Sequence, residues 1–304
     1  MRSMPSSTMN SGNVATDSGA DSGSGSGSGT EQAVSRPKRP RRQSKQIRQG
    51  KQRRLRRSAF AGALGAAVLV LALPGSANAD VLQLLPQNAD GLEQTFSPAY
   101  DYDTDGCYAT AAIGADGTIN PGLPLGGDVN GHCHDAAQLA NANTYSREKC
   151  NNDWCAVMYA SYFEKDQATL GPAAIGHTHD WEHVVVWINN NQVQDVAVSQ
   201  HSGYQVAASS SVRFDGTHPK VVYNKDGVST HDFRFANSND EPPENVTGNW
   251  FYPRLVGWNG YPDGFRDKLM NANFGEATIK ITDANFAYGL AHSMPAGIPF
   301  DPNA

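Results

Sequence analysis

The segment from Gly176 to Ser199 decides the fold, and it reads GHTHDWEHVVVWINNNQVQDVAVS. Two Val-rich runs, Glu182–Ile188 and Gln192–Ser199, flank three consecutive asparagines at 189–191. β-branched runs on both sides of such turn-forming residues are typical of a β-hairpin. We therefore predict a hairpin over Glu182–Ser199.

Further short runs of the same character recur along the chain, separated by clusters of Gly, Pro, Asn and Asp: Cys155–Phe163, Lys220–Tyr223, Asp232–Phe235 and Thr278–Ile281. Many short strands with this punctuation favour a mainly-β protein, a two-sheet β-sandwich with a few short helices. The best helix candidates are 135–143 and 264–272. We expect residues 295–304 to form a loose C-terminal tail or loop.

Residues 1–79 have the composition of a processed leader. A Ser-Gly repeat at 22–29 and a basic run at 36–57 precede an uncharged apolar stretch at 59–73 and the sequence Ala77-Asn78-Ala79. Fifteen apolar residues fall short of the ~20 that span a bilayer as a helix, and Ala-x-Ala is a cleavage pattern. We expect a disordered basic leader and a signal peptide cleaved after Ala79, followed by a single secreted domain over 80–304. A membrane anchor is the alternative.

The charge is divided unevenly. Residues 1–79 carry 13 of the 24 basic and 3 of the 30 acidic residues, which leaves 11 basic and 27 acidic residues in 80–304, a net charge of −16. Nucleic-acid binding requires clustered Lys and Arg against phosphates, so we expect no nucleic-acid partner for the mature chain. The same charge argues against docking on anionic lipid through charge alone.

All four cysteines lie after the leader, at 107, 133, 150 and 155. An even number behind a signal peptide indicates two disulfides, for which three pairings are possible. We favour Cys107–Cys133, which would close a Gly-rich segment, together with Cys150–Cys155, which would close a small loop. A zinc site is the alternative, although no C-x-x-C spacing is present.

The densest cluster of ligand-type residues opens the hairpin segment, with three histidines and two acids at 177–183. If the chain is extended from Asp180, then Asp180 and Glu182 share one face with Val184 and Val186, and the other face carries Trp181, His183, Val185 and Trp187. Paired carboxylates repel unless a cation lies between them or one is protonated. His177 breaks this parity and would have to reach the same place from the preceding loop. Mg²⁺ or Ca²⁺ suits such oxygen-rich ligands; a polar strand end that binds nothing is the alternative.

Two stretches carry a family resemblance: AVMYASYFEKD at 156–166 and GHTHDWE at 176–182. They resemble the hallmark of the necrosis- and ethylene-inducing peptide-like proteins, A-I-M-Y-x-W-Y-F-P-K-D, a short spacer and G-H-R-H-D-W-E. Residues 105–107, 115–118, 274–277 and 283–286 also resemble that family. The chain departs from the pattern at Ser161, Glu164 and Thr178, where the family has Trp, Pro and Arg.

The resemblance implies a β-sandwich similar to the actinoporin pore formers of sea anemones. It further implies a secreted, monomeric microbial cytolysin and virulence factor that uses one divalent cation, binds sugar headgroups of plant sphingolipids and damages the plasma membrane without being an enzyme. Two other functions stay open. One is a metal-dependent hydrolase with Glu182 or His177 as general base; the other is a non-toxic glycan-binding member of the family.

The resemblance also implies a set of site residues. The cation would be held by Asp166, His177, Asp180 and Glu182, and Trp258 and His231 would lie at the sugar-binding surface. Four cysteines match the family's second type, in which Cys150–Cys155 is the additional disulfide. That type has a calcium segment, which here corresponds to Asp101, Asp103 and Asp105, although an EF-hand acid at position 112 is replaced by Ala.

Overall fold

The computed structural model describes residues 81–201 and 203–304, so the predicted leader and the cleavage site after Ala79 lie outside the described residues. The helices in this part are α1 Gly91–Thr95, α2 Ala136–Ala140, α3 Phe265–Met270 and α4 Phe286–Ser293. The strands are β1 Ala99–Tyr102, β2 Asn143–Asn151, β3 Trp154–Gln167, β4 Gly176–Asn189, β5 Gln192–Gln200, β6 Gly203–Ala208, β7 Phe214–Asp215, β8 His218–Lys225, β9 His231–Phe235 and β10 Arg254–Gly257. Within this part of the chain, no helix has the length and apolar character needed to span a bilayer.

The strands form two sheets, as predicted. Six strands lie in the order β10-β2-β3-β4-β5-β6, and the second sheet has the order β1-β8-β7 with β9 also paired to β8. The predicted hairpin is confirmed, since β4 and β5 pair antiparallel through Asn189 and Gln192. Asn190 and Asn191 close its turn with φ of 49° and 59°, the left-handed conformation that asparagine tolerates better than most residues.

The large sheet is buried on both faces, and β4 shows how its side chains alternate. Val184 and Val186 enter a core shared with Tyr223 and Phe233 of the small sheet. The intervening Val185 and the two tryptophans of β4 enter a second cluster on the outer face, which is covered by residues of α3, α4 and the loops between them: Leu269, Phe274, Ile281 and Leu290. The predicted division of β4 into two faces is therefore confirmed.

The run Thr278–Ile281 was expected to be a strand, and this prediction is wrong. The segment forms turns over the outer face of the large sheet, where Ile279 and Ile281 are buried. The backbone N–H of Lys280 donates to Nε2 of His183 rather than to a neighbouring strand. Its apolar residues reflect burial as a cover for the sheet, and a periodicity of two over four residues does not separate these cases.

The helix candidates are confirmed in place but are shorter than predicted. The first covers only 136–140, because Asn143 already begins β2 and its amide side chain bonds the backbone of Leu85 and Arg254. The second runs from Phe265 to Met270 with Gly264 before it in the left-handed conformation.

Residues 295–304 form a loop, one of the two forms expected, but the segment is not loose. Phe300 is only 5% exposed and packs edge-on against Trp187, with ring centroids 5.0 Å apart. The side chains of Asn151 and Lys149 donate to the carbonyl oxygens of Asp301 and Pro302. The segment lacks regular secondary structure but is fixed by packing and by hydrogen bonds to its backbone.

Both favoured disulfides are present, Cys107–Cys133 and Cys150–Cys155. The second joins directly paired residues of β2 and β3 beside their connecting turn. Because all four thiols are bonded to one another, the alternative of a zinc site made by cysteines is excluded.

We expect Phe300→Ala to destabilise the protein by about 3 kcal/mol, the cost of deleting a buried aromatic ring and leaving a cavity against Trp187. The control is Val228→Ala at a side chain that is 94% exposed, where the change should stay within about 0.5 kcal/mol. Urea unfolding of the oxidised protein measures both free energies. Equal stability of the two variants would show that the C-terminal segment is not anchored.

Candidate functional site

Three of the four predicted cation ligands meet at one end of the β3–β4 pair. Asp166, His177 and Asp180 each offer a ligand atom, and these atoms all lie within 4.8 Å of one another. The antiparallel register places Asp166 opposite His177 and Phe163 opposite Asp180. Because the antiparallel pairing continues to this end of both strands, it brings Asp166 of β3 close to His177 and Asp180 of β4.

Two backbone features let His177 and Asp180 reach the same place although they are three residues apart. Gly176 has φ of 139°, and a side chain there would overlap the carbonyl oxygen of Asp166. His179 lies in the left-handed region with φ of 63°. This is an uncommon conformation for a residue other than glycine, and the His179 ring is fixed by Tyr162, whose hydroxyl lies 2.7 Å from Nδ1. The left-handed residue resets the strand alternation between His177 and Asp180.

The His177 ring is oriented as metal-binding imidazoles usually are. Its Nδ1 lies 2.7 Å from the carbonyl oxygen of His179, so this nitrogen donates the hydrogen bond. The lone pair of Nε2 is then free, and Nε2 lies 3.9 Å from Oδ2 of Asp166. A backbone carbonyl that holds the other ring nitrogen is the typical outer partner of a ligating histidine.

The two carboxylates are held by partners from the small sheet. Both oxygens of Asp166 accept the backbone N–H of His231 at 3.0 Å, and its Oδ1 lies 2.7 Å from Nδ1 of the His231 ring. Asp180 accepts the hydroxyl of Tyr223 at 2.9 Å and its neighbour's backbone N–H. Tyr223 in turn stacks on Phe163 with ring centroids 3.8 Å apart. The acids are thus fixed in place by packing between the sheets.

Glu182 lies in the same cavity but outside this group of three. Its carboxylate accepts the hydroxyl of Ser199 on β5. Burial, followed by the charge of Asp180, raises the pKa of Glu182. In the structure, Glu182 is therefore a buried, hydrogen-bonded neighbour of the ligand group rather than a member of it.

The site holds more negative charge than its surroundings compensate. Burial in the first place, and the charge of Asp166 in the second, raise the pKa of Asp180 from 3.8 to about 7. Two carboxylates in such a position require either a shared proton or a cation. Two carboxylate groups and an available imidazole nitrogen fit a divalent cation, so the donor set of this chain suits the ion that was expected.

The group of three opens into a polar cavity of about 380 Å³. Its further lining includes hydroxyl, imidazole and charged groups: Tyr204, Thr230, Glu276, Lys280, Tyr288 and His292. Apolar ligands bind in pockets lined mainly by hydrophobic side chains. A cavity lined in this way instead suits a ligand that carries several hydroxyl or amino groups.

The remaining predicted site residues lie elsewhere or act differently. Trp258 does not line the acidic cavity; its ring lies between two guanidinium groups, with Arg147 at 3.8 Å and Arg266 at 4.9 Å from the centroid. His231 does line the cavity, but it is 2% exposed and holds Asp166. The structure thus gives His231 a positioning role and keeps Trp258 away from the site.

The predicted calcium loop is not assembled. Asp101 lies buried in β1, where its carboxylate accepts the backbone N–H groups of Glu244 and Asn245. Asp103 instead faces Arg234, and Asp105 lies 3.7 Å from the ring of His231. The three acids therefore serve different partners and do not converge as ligands.

One departure from the family pattern has a structural explanation. Glu164, where the hallmark has proline, is buried, and its carboxylate accepts hydrogen bonds from the side-chain amides of Asn120 and Gln138.

Two residues that bind the acids, Tyr223 and Ser199, had no signal of this role in the sequence. Each lies in or at the end of a predicted strand, and only the contact between strands reveals its function.

The chain is similar to known proteins in both sequence and fold. A family model described as necrosis inducing protein (NPP1) matches residues 90–293. NLP effector protein 10 of Phytophthora capsici is 33% identical over 196 residues, which cover 62% of this chain and 77% of that protein.

Two solved structures share the fold. The structure of NLPPya in complex with mannosamine superposes with a TM-score of 0.61 at 28% identity, covering 71% of this chain and 97% of the other. The non-toxic HaNLP3 protein gives a TM-score of 0.60 at 27% identity, covering 72% and 100%. Because the family model spans most of the chain and the shared fold agrees with it, this chain belongs to the necrosis-inducing protein family.

Proposed function

We propose that this protein is a secreted cytolysin that docks on sugar headgroups of plant sphingolipids through a divalent cation, Mg²⁺ or Ca²⁺, and then damages the plasma membrane. The observation that carries the proposal is the convergence of Asp166, His177 and Asp180 at the floor of a polar cavity. Family membership supports the toxin-like role. The complexes of NLPPya with mannosamine and with glucosamine support an amino-sugar ligand.

Each residue of the site has a defined part in this proposal. The carboxylates of Asp166 and Asp180 and the Nε2 atom of His177 would hold the cation, while His231 and Tyr223 keep the two acids oriented. When bound, the cation supplies a positive centre to which sugar hydroxyl groups can coordinate. The polar lining of the cavity then distinguishes a sugar from an apolar ligand.

The charge of the domain determines how it can approach a membrane. Residues 80–304 carry a net charge of −16, which opposes binding to anionic lipid. Recognition of the headgroup sugar does not depend on lipid charge. Membrane contact would therefore be led by the cation and the sugar.

Two alternatives make different predictions. A hydrolase with Glu182 as general base is disfavoured by the burial of that carboxylate and by its hydrogen bond to Ser199, because a general base must be within reach of the proton that it takes from the substrate or water. The related proteins are named as necrosis-inducing proteins and effectors rather than as enzymes. A non-toxic sugar-binding protein is favoured by one observation, the same fold in the non-toxic HaNLP3.

We expect Asp180→Asn to lower leakage of vesicles containing plant glycosylated sphingolipid by at least about 10-fold, since loss of even an outer partner of a metal ligand costs that much. A chelator should have the same effect on the unaltered protein. The matched control is Asp263→Asn, at an exposed acid outside the cavity, which should leave leakage unchanged. Thermal unfolding checks that both variants fold.

The same assay separates the alternatives when sugar binding and product release are recorded together. Leakage by Asp180→Asn at the level of the control variant would contradict the proposal. Sugar binding without leakage would indicate the non-toxic protein. Release of a cleaved headgroup that the chelator prevents would indicate the hydrolase.

We expect the affinity for Mg²⁺ or Ca²⁺ to fall as the pH is lowered through about 7, because a proton on Asp180 competes with the cation. Isothermal titration calorimetry at a series of pH values measures this dependence. An affinity that stays constant between pH 5.5 and 8, about one unit or more on each side of this pKa, would contradict the assignment of Asp180 as a ligand.

Stability in chelator should show the corresponding dependence. Because the pKa of Asp180 in the folded protein lies above its ordinary value of 3.8, the folded state binds the proton more tightly, and its stability falls as the pH rises from about 4 towards 7. Asp180→Asn removes this contribution. The free energy of unfolding of the variant minus that of the unaltered protein should therefore increase as the pH rises over this range. Urea unfolding with Asp263→Asn as control measures the difference; a difference independent of pH would contradict the raised pKa.

A further inference from the structure

A second group of ligand-type side chains lies outside the set just described. His201 is in the turn between β5 and β6, Asp226 follows β8, and Asp232 is in β9. Each offers one ligand atom, and these atoms all lie within 4.8 Å of one another. Neither the sequence patterns nor the proposed sugar-binding function uses these three residues.

A single nitrogen is the centre of the group. Nε2 of His201 lies 3.3 Å from Oδ2 of Asp226 and 3.8 Å from Oδ2 of Asp232. Atoms bound to one metal ion at about 2.0–2.2 Å are separated by distances of this order. A small movement of the β5–β6 and β8–β9 turns towards each other would let all three ligand atoms coordinate one ion.

Asp232 is the buried member of the group, with a side chain that is only 5% exposed. Its Oδ1 accepts the side-chain amide of Asn224 at 3.2 Å, whereas Oδ2 is directed at His201 without a hydrogen bond. A largely buried carboxylate is costly unless hydrogen bonds or a cation compensate its charge.

The position of the group in the fold indicates what an ion there would do. His201 lies in a turn between two strands of the large sheet, while Asp226 lies in the turn after β8, and Asp232 in β9, of the small sheet. The group therefore bridges the two layers of the sandwich where β5 meets β9. His201 and Tyr204 line both the acidic cavity and the adjoining cleft that holds this group, so the bridge lies at the rim of that cavity.

The donor set has the same composition as that of the first group, but here the imidazole and one of the two carboxylates are exposed to solvent. One exposed imidazole nitrogen and two carboxylates are a ligand set typical of a divalent transition ion such as Zn²⁺, with solvent completing the coordination. Arg234 is a cation in the same cleft. Its guanidinium is already bonded to both carboxylate oxygens of Asp240, at 2.7 and 2.8 Å, so its charge is compensated there.

We propose that His201, Asp226 and Asp232 form a second metal site, which takes Zn²⁺ and ties the two sheets together at the rim of the acidic cavity. The competing explanation is a plain ion pair between His201 and the two acids. These explanations differ in whether the group binds an ion at all. The proposal does not depend on the sugar-binding function.

The test titrates the full chain with Zn²⁺ alone by isothermal titration calorimetry, in an Asp180→Asn background that disables the first site. We expect one Zn²⁺ to bind, and His201→Asn or Asp226→Asn to lower its affinity by at least about 10-fold. Both positions are solvent-accessible, so the variants should fold. Matched controls are His132→Asn, at another exposed histidine with a positive φ, and Asp263→Asn; neither should change Zn²⁺ binding.

Hydrogen exchange supplies an independent measurement of the bridge between the sheets. Zn²⁺ should slow exchange of the amides of β6 and of residues 226–230 in the Asp180→Asn background, but not when His201→Asn is added. The proposal is overturned if Zn²⁺ fails to bind, or if His201→Asn and Asp226→Asn bind it with the affinity of their controls. It is also overturned if Zn²⁺ leaves the exchange rates of both segments unchanged. Loss of leakage is not a readout here, so failure of this proposal and failure of the sugar-binding function are distinguishable.

Discussion

Two buried carboxylates, those of Asp166 and Asp180, are held near each other by the register of β3 and β4, and their mutual repulsion governs the chemistry of the site. The backbone N–H of His231 and the hydroxyl of Tyr223 donate to these acids but add no full positive charge. The repulsion is therefore relieved by a proton or by a cation. Since the two long strands also form the centre of the large sheet, the fold cannot form without bringing these charges together.

The sequence predicted the elements whose pattern is local. The turn at 189–191 and the valines on either side specify the hairpin and its two faces, because alternation in a strand sorts side chains without reference to the rest of the chain. Thr278–Ile281 and the C-terminal Phe300 were misjudged because both bury apolar side chains without regular pairing. The contacts that hold these segments come from residues far away in the sequence. His183 accepts the backbone N–H of Lys280, and Trp187 packs against Phe300.

Residues 166–182 contain the predicted ligands, but the residues that hold these ligands in place could not be predicted from the sequence. Strand alternation pairs Asp180 with Glu182, whereas Asp166 was assigned from the family resemblance. The left-handed backbone at His179, which brings His177 to the same place, has no signature in a histidine. Tyr223 and His231 come from the opposite sheet. The place of Trp258 between Arg147 and Arg266 was not predicted, because an aromatic residue suited to a sugar face is equally suited to stacking on guanidinium groups.

The order in which the chain is synthesised gives the outer cover of the large sheet a further consequence. The residues that shield Trp187 and its neighbours, from α3 to Phe300, leave the ribosome after the six strands of the large sheet. Until they emerge, a broad apolar face of the sheet would stand open to water, and exposed surface of this kind promotes aggregation. The large sheet is thus fully covered only after Phe300 has left the ribosome, which leaves a time window in which a chaperone can hold the nascent polypeptide.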